Sequence, residues 1–301
     1  MGGGQIGRDG VSWWRWLSGL GLAASLGLSG NVQAALPEAA AWVDVPAAAL
    51  SLRAWWSPAS ATAATPVPRP VVLMLHGCGG MLNAQGQPTV RMRDYAQLLN
   101  AQGWHTLALD SFGPRGVAEI CTQKANTRAI KVSDRAVDVW EALAWLAQQP
   151  EVDAQRLALL GWSNGGSTVL WANNQRREAM PEAKQRPHLR LAVAFYPGCA
   201  SEAKRGYQPL APTLLLLGLA DDWTPANACE PLTHLPAVTR HAWADAHHGF
   251  DGKAAVKHRP EVPNGATPGA GVHVGGHPQA RRESQAVLLQ ALREAFEVSA
   301  K

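Results

Sequence analysis

Short apolar runs alternate with segments of helical period along most of the chain. Residues 71–75 are continuously apolar, which is typical of a strand buried on both faces of a parallel sheet. Similar predominantly apolar strands are predicted over residues 106–109, 157–160, 191–195 and 213–217. Residues 240–243 are strand-like, and residues 43–56 contain further β-compatible stretches. Helical patterns cover 90–102, the stretch from Ser133 as N-cap to before Pro150, the residues from Asn164, a short segment opened by Thr224-Pro225, and 278–298. Residues 264–276 are glycine-rich and predict a loop.

This alternation predicts an α/β fold with a mostly parallel sheet and helices on both faces. The chain has 301 residues and shows no internal repeat or interdomain linker, so we expect one domain over residues 35–301. Ligand sites in such sheets lie beyond the carboxyl ends of the strands. The residues that follow each predicted strand are therefore the candidates for a functional site.

The N-terminal segment has the organisation of a secretory signal. Arg8 and Arg15 precede an apolar run over residues 16–28, and small residues stand at the cleavage positions up to Ala34. We expect residues 1–34 to be removed and the protein to be periplasmic or secreted. A membrane anchor is the alternative, and it is disfavoured because the run is shorter than the roughly 20 residues that span a bilayer.

Composition and charge exclude some partners. The chain is 47% hydrophobic and 17% charged, which is typical of a globular protein, and its net charge is +4. Lysine and arginine are spread through the chain rather than clustered into a basic stripe. We therefore expect no nucleic-acid partner, and no pattern in the sequence indicates an oligomeric state.

Four cysteines in an exported chain permit two disulfides with three pairings. Cys78 follows the first parallel strand and Cys121 lies beyond the next, whereas Cys199 and Cys229 follow two later strands that are neighbours in order. This order favours the pairs Cys78–Cys121 and Cys199–Cys229. Free buried thiols are the alternative.

Gly161-Trp162-Ser163-Asn164-Gly165 matches the pattern G-x-S-x-G. A predicted strand precedes it and a predicted helix follows, which is the context that this motif requires. The serine then sits on a sharp turn with its hydroxyl above the sheet, and the helix directs its first N–H groups toward a developing anion. We predict Ser163 as a nucleophile; a structural turn is the alternative.

A serine nucleophile needs a base, and the base needs an acid that orients it. In this fold both follow the serine, the acid first and the histidine second. Asp221 and Asp222 come shortly after one apolar strand, and His247 and His248 come shortly after the next. Spacing alone does not choose within either pair.

The tetrahedral intermediate of acyl transfer needs two N–H donors. The motif assigns one to Asn164, and the glycine-rich loop 76–80 after the first parallel strand offers the other, with the N–H of Cys78 as the candidate. Adjacent histidines point apart, and no metal-binding spacing accompanies them. We therefore predict neither a catalytic metal nor a cofactor.

These motifs resemble those of the dienelactone hydrolase family within the α/β-hydrolase superfamily. The resemblance covers about residues 40–300 and rests on HGCGG at 76–80, DSFGPRG at 110–116, LLGWSNGG at 159–166, FYPG at 195–198, GLADDWTP at 218–225 and AHHGF at 246–250. The family pattern G-x-x-D-x-x-x-P implies Asp221 as the acid, and A-x-H-x-F implies His248 as the base.

The sequence departs from the best-known members of that family at the site itself. Those members have Cys where this chain has Ser163 and Glu where it has Gly77, and they hold an anionic lactone with two arginines. Arg115 matches one of these, with a solvated or structural arginine as the alternative, whereas residues 249–253 after His248 contain no arginine. The resemblance thus implies ester or lactone hydrolysis without implying that particular lactone.

Together these observations predict an exported serine hydrolase that acts on small ester or lactone substrates through an acyl-enzyme. Trp162 and Trp223 flank predicted catalytic residues and are candidates to line the pocket, with core packing as the alternative. A peptidase or an acyltransferase would use the same triad. A binding protein on the hydrolase fold is the non-catalytic alternative.

Overall fold

An eight-stranded sheet forms the centre of the fold. The computed structural model describes residues 1, 35–60, 67–177, 181–182 and 185–297, and all elements named below belong to the unit from Ala35 onward. The strands are β1 Ala41–Val45, β2 Leu52–Ser57, β3 Arg69–Leu75, β4 His105–Asp110, β5 Val152–Trp162, β6 Leu189–Phe195, β7 Thr213–Gly218 and β8 Val238–Trp243. Their order in the sheet is β1-β2-β4-β3-β5-β6-β7-β8. β2 pairs in antiparallel fashion with both β1 and β4, and all the other neighbouring strands pair in parallel fashion.

Helices cover both faces of this sheet. They are α1 Val90–Asn100, α2 Val132–Leu146, α3 Asn164–Ala172, α4 Ala200–Arg205, α5 Glu230–Thr233 and α6 Pro278–Glu297. Buried residues of α2 and α3 belong to one core and those of α1 and α6 to the other. Along β3, Leu73 joins the first core while Val72 and Met74 join the second, because successive strand residues point to opposite faces. The predicted fold class is therefore confirmed.

Two local predictions need correction, and one helix was not predicted. Helix α2 begins at Val132 rather than after Ser133, since the carboxylate of Asp134 accepts the N–H of Lys131 at 2.8 Å and caps the helix earlier. The predicted loop 264–276 contains a short strand, β10 Val272–Val274, which pairs with β9 Lys257–Arg259 in an antiparallel hairpin. The short helix α4 was absent from the predicted elements.

The structure contains both predicted disulfides, Cys78–Cys121 and Cys199–Cys229. The first joins the loop after β3 to the segment after β4, and the second joins the start of α4 to the turn before α5. The predicted signal segment 1–34 lies, apart from Met1, outside the described residues. Among the helices of the described residues, none is both long and apolar enough to span a bilayer.

Candidate active site

Ser163 occupies the turn between β5 and α3. Its backbone has φ 54° and ψ −117°, in a region that residues with a side chain rarely adopt. The N–H of Ser163 donates to the carbonyl of Phe195 at 2.9 Å, and its own carbonyl accepts the N–H of Ser167 at 2.8 Å. These bonds hold the strained turn, which places the serine at the carboxyl end of the sheet.

The two glycines of the motif are required by close backbone packing. A Cβ atom on Gly161 would lie 2.3 Å from the carbonyl oxygen of Gly165. A Cβ atom on Gly165 would lie 2.2 Å from the carbonyl oxygen of Leu75 and 2.6 Å from that of His76. Only glycine therefore lets α3 start this close to β5 and to the end of β3.

The structure brings Ser163, His248 and Asp221 together. His248 Nε2 lies 2.9 Å from Ser163 Oγ, and His248 Nδ1 lies 2.8 Å from Asp221 Oδ2. All three residues are buried, with exposed fractions of 8%, 4% and 5%. The distances are within the reach of proton transfer by a general base that is oriented by a carboxylate.

Backbone and hydroxyl donors surround the carboxylate of Asp221. Its Oδ1 accepts the N–H groups of Trp223 at 2.8 Å and Thr224 at 2.9 Å. The hydroxyl of Thr224 lies 3.0 Å from Oδ2 and 2.9 Å from the carbonyl of Tyr196. A buried carboxylate needs such partners, and together they fix the oxygen that faces His248.

The competing residues Asp222 and His247 face the β9–β10 hairpin instead. Asp222 Oδ1 accepts the N–H of His273 at 2.8 Å, and Asp222 Oδ2 lies 2.7 Å from His273 Nδ1. Desolvation acts to raise the pKa of Asp222, but the hydrogen bonds from His273 outweigh it and lower the pKa below its usual value. The ring of His247 lies 5.5 Å from that of His273. Asp222 thus anchors the hairpin, whereas Asp221 meets the histidine beside the serine.

The loop 76–80 lies directly against the serine turn. A Cβ atom on Gly77 would stand 3.4 Å from the carbonyl oxygen of Trp162 and 3.6 Å from Ser163 Cβ. Cys78 is held by its disulfide and by its carbonyl, which accepts the N–H of Ile120 at 2.9 Å. This arrangement puts the predicted second donor on a segment that is tied at both its backbone and its side chain.

Two of the predicted substrate-binding residues are engaged elsewhere. Arg115 forms a two-fold ion pair with Asp138, with both N···O distances at 2.8 Å, so its guanidinium is occupied rather than offered to an anion. Trp162 is fully buried and stacks on Phe195 with ring centroids 5.8 Å apart. Its position on β5 directs the side chain into the core, so Trp162 has the alternative role of core packing.

Trp223, the third candidate, does stand beside the reactive groups. Its ring centroid lies 4.6 Å from that of His248. It belongs to a small apolar cluster that the β9–β10 hairpin completes, whose buried members are Cys78, Phe112, Ile120, Cys121, Ile130, Trp223, Val262 and Val272. The hairpin also pairs with the backbone of His248, where the N–H of Gly275 donates to the carbonyl of His248 at 3.0 Å. It therefore lies next to the base of the triad, a placement that the sequence pattern did not reveal.

Sequence reasoning also missed a buried arginine behind the serine turn. Arg135 on α2 is 1% exposed, and its guanidinium donates to Asn164 Oδ1 and, at 2.8 Å, to the carbonyl of His76. Burial lowers its pKa to about 9. The available signal was its position four residues before Val139, on the apolar face of the helix.

Comparison with known proteins gives the same fold and one family match. A model of the prolyl oligopeptidase family matches residues 92–181, and no curated protein matches the chain. A dienelactone hydrolase-like promiscuous phosphotriesterase from metagenomic libraries is 20% identical, with a TM-score of 0.60 over 85% of this chain and 98% of that one. A thermophilic esterase from Thermogutta terrifontis with bound propionate is 17% identical, with a TM-score of 0.58 over 87% and 96% of the two chains. The same esterase has been solved phosphorylated by paraoxon, at 16% identity and the same TM-score and coverage.

These likenesses establish the α/β-hydrolase fold. The expected resemblance to dienelactone hydrolases is confirmed at that level, since a dienelactone hydrolase-like enzyme aligns over most of both chains. The family match begins within α1 and extends past α3, and it therefore includes the serine turn.

Proposed function

We propose that this protein is an exported serine hydrolase that cleaves small carboxylic esters or lactones. The observation that carries the proposal is the hydrogen-bonded chain from Ser163 Oγ through His248 to Asp221, with steps of 2.9 Å and 2.8 Å. Such a chain needs both a strained serine turn and two loops that converge on it. Packing alone gives no reason for that combination of strain and burial.

In the proposed reaction, Ser163 Oγ attacks the ester carbonyl carbon while His248 Nε2 takes the hydroxyl proton. Asp221 orients the imidazole and stabilises the imidazolium. The N–H groups of Asn164 and Cys78 bind the oxyanion, and the imidazolium then gives its proton to the departing alkoxide. Water repeats these steps on the acyl-enzyme and releases the acid. In a lactone the alkoxide takes the proton but stays tethered to the acyl chain, so deacylation by water releases a single hydroxy acid.

The test is a panel of p-nitrophenyl esters and simple lactones assayed with the native protein and with Ser163→Ala. We expect turnover by the native protein and a loss of at least about a thousand-fold in the variant. Its folding should be unchanged because the substitution removes only the hydroxyl, whose hydrogen bond is to His248 Nε2. Ester cleavage that survives in Ser163→Ala would contradict the proposal. A folded native protein without any turnover would favour the binding-protein alternative.

A second candidate activity is peptide-bond cleavage. The match of residues 92–181 to the prolyl oligopeptidase family favours it, because the match includes the serine turn. Parallel assays of an ester and the corresponding p-nitroanilide separate the two activities. We expect a kcat/KM for the ester at least about a hundred-fold higher, and the reverse order would assign the protein as a peptidase. Transfer of the acyl group to an added alcohol in preference to water would assign it as an acyltransferase.

Export is supported by the two disulfides, which persist in oxidising compartments. We propose that the mature chain begins at Ala35. Mass spectrometry of the protein recovered from periplasm or medium measures this directly. An intact N-terminus on a membrane-bound protein would contradict it.

A further inference from the structure

Arg135 is a buried cation that links two separate backbone segments. One N–H group of its guanidinium reaches Asn164 Oδ1, and another reaches the carbonyl oxygen of His76 at 2.8 Å. Residue 164 opens α3, and residue 76 opens the loop after β3. In the primary sequence these two acceptors are 88 positions apart, so one side chain sets their spacing in the fold.

Each of these segments carries one of the two proposed oxyanion donors. Asn164 supplies its own backbone N–H, and the carbonyl held on His76 lies two residues before the N–H of Cys78. An oxyanion hole works only when its donors sit 2.7–3.1 Å from the position that the charged oxygen will take. A group that fixes both segments at once therefore controls the separation of the donors.

The charge of Arg135 has no direct counter-ion. Within the described part of the chain no carboxylate forms an ion pair with it, and the nearby Asp138 is already bound by Arg115. The guanidinium lies over the ring of Phe112 at 5.0 Å, and its Nε has no hydrogen-bond partner among the described residues. With a pKa of about 9 it stays positive at neutral pH, which favours negative charge developing nearby.

We propose that Arg135 is a positioning residue of the oxyanion hole, bridging the serine turn and the loop 76–80 so that the two N–H donors converge. This inference rests on the proposed function. A lysine at this position keeps the charge but offers no planar fork for two acceptors, and a methionine keeps only the volume.

The test compares Arg135→Lys and Arg135→Met with the native protein on a p-nitrophenyl ester and on its thionoester, in which sulfur replaces the carbonyl oxygen. An oxyanion hole whose donors fit oxygen gives a higher kcat/KM for the oxoester than for the thionoester. Misplaced donors therefore reduce the ratio of kcat/KM for the oxoester to kcat/KM for the thionoester. We expect kcat on the oxoester to fall by about 10- to 100-fold with KM within about three-fold, and the ratio to fall by about ten-fold.

Arg177→Met is the matched control, because Arg177 also links two groups through its guanidinium. It forms an ion pair with the buried Glu202 and lies over the ring of Trp171. The substitution is expected to lower stability and to leave the ratio unchanged. Native turnover that Ser163→Ala abolishes establishes the hydrolase first. If Arg135→Lys then keeps the native kcat and ratio, or if Arg177→Met changes the ratio equally, the inference about Arg135 is wrong while the proposed function stands.

Asn164→Ala provides a second measurement that does not depend on Arg135→Met folding. It removes the side-chain acceptor and keeps the backbone N–H. If Arg135 acts through this contact, Arg135→Lys costs less in the Asn164→Ala background than in the native one. Additive losses would show that the two side chains act independently and would overturn the bridging role.

Discussion

The two sides of the candidate site are built by different physical means. On the nucleophile side, backbone packing fixes Ser163: the turn is strained, and the flanking glycines leave no room for a Cβ atom. On the acid–base side, hydrogen bonds fix Asp221 and His248, which lie on two separate loops after β7 and β8. Substitutions on the nucleophile side are therefore expected to abolish activity and to destabilise the fold. Substitutions on the acid–base side are expected to reduce activity by graded amounts.

Gly165→Ala tests whether backbone packing fixes the nucleophile side, and it has the largest expected effect. Its Cβ would meet the carbonyl oxygens of Leu75 and His76, both backbone atoms that cannot move independently of β3. We expect loss of detectable turnover and destabilisation by about 2 kcal/mol or more, measured by denaturant unfolding. Gly79→Ala, whose Cβ has its nearest contact at 4.0 Å, should keep the native stability. Normal activity in Gly165→Ala would refute the packing argument.

Asp221→Asn tests the acid–base side. An asparagine favours the wrong tautomer of His248, so kcat should fall by about a thousand- to ten-thousand-fold without unfolding. The control is the neighbouring Asp222→Asn, which loosens only the hairpin contact to His273 and should change kcat by less than about ten-fold. Equal losses in the two variants would mean that the assignment of Asp221 over Asp222 is wrong.

Removal of each disulfide separately tests whether the bond positions the oxyanion donor or only stabilises the fold. From loop lengths set by separations of 43 and 30 residues, each bond is expected to stabilise the fold by roughly 4 kcal/mol. The double variant Cys78→Ser/Cys121→Ser should also lower kcat by about ten-fold, because Cys78 carries a proposed donor. Cys199→Ser/Cys229→Ser should lower the unfolding midpoint similarly with a smaller change in kcat. Identical kinetic effects would remove the reason for assigning a donor to Cys78.

Substitution of His105 has the smallest expected effect. This residue lies at the opposite end of β4 from the candidate site. Burial, helped by the charge of Arg69, lowers its pKa to about 4 from the usual 6.5, and the neutral Nδ1 accepts the N–H of Ala59 at 2.9 Å. The unfolded chain takes up a proton near pH 6.5 and the folded chain does not, so stability is lost as pH falls from 6.5 to about 4. His105→Gln should flatten the dependence of the free energy of unfolding on pH over that range. An unchanged slope would contradict the prediction.

The difference between the two sides also explains what the sequence could predict. The serine turn is local, so five consecutive residues carried the prediction of its geometry. Asp221 and His248 were recognisable only as one of two neighbours each, and resemblance to a family was needed to choose between them. The choice depends on which side chain faces the serine, and that follows from loop paths rather than from residue type.

Tertiary contacts account for the predictions that failed. Arg115 fitted an anion-binding role by position, yet Asp138, 23 residues later on α2, binds its guanidinium. Trp162 stands next to the serine, but alternation along β5 directs its side chain into the core. Arg135 shares its helix face with apolar residues, and the acceptors that justify its burial come from two other segments.

The most direct test of the central claim is mass spectrometry of the protein after reaction with paraoxon. The account predicts one diethylphosphoryl group per chain, located on the peptide that contains Ser163, and no such adduct in Ser163→Ala or in acid-unfolded protein. It also predicts that this adduct and the loss of esterase activity appear at the same rate. Labelling at another residue, or full activity retained by the phosphorylated protein, would contradict the assignment of Ser163 as the nucleophile.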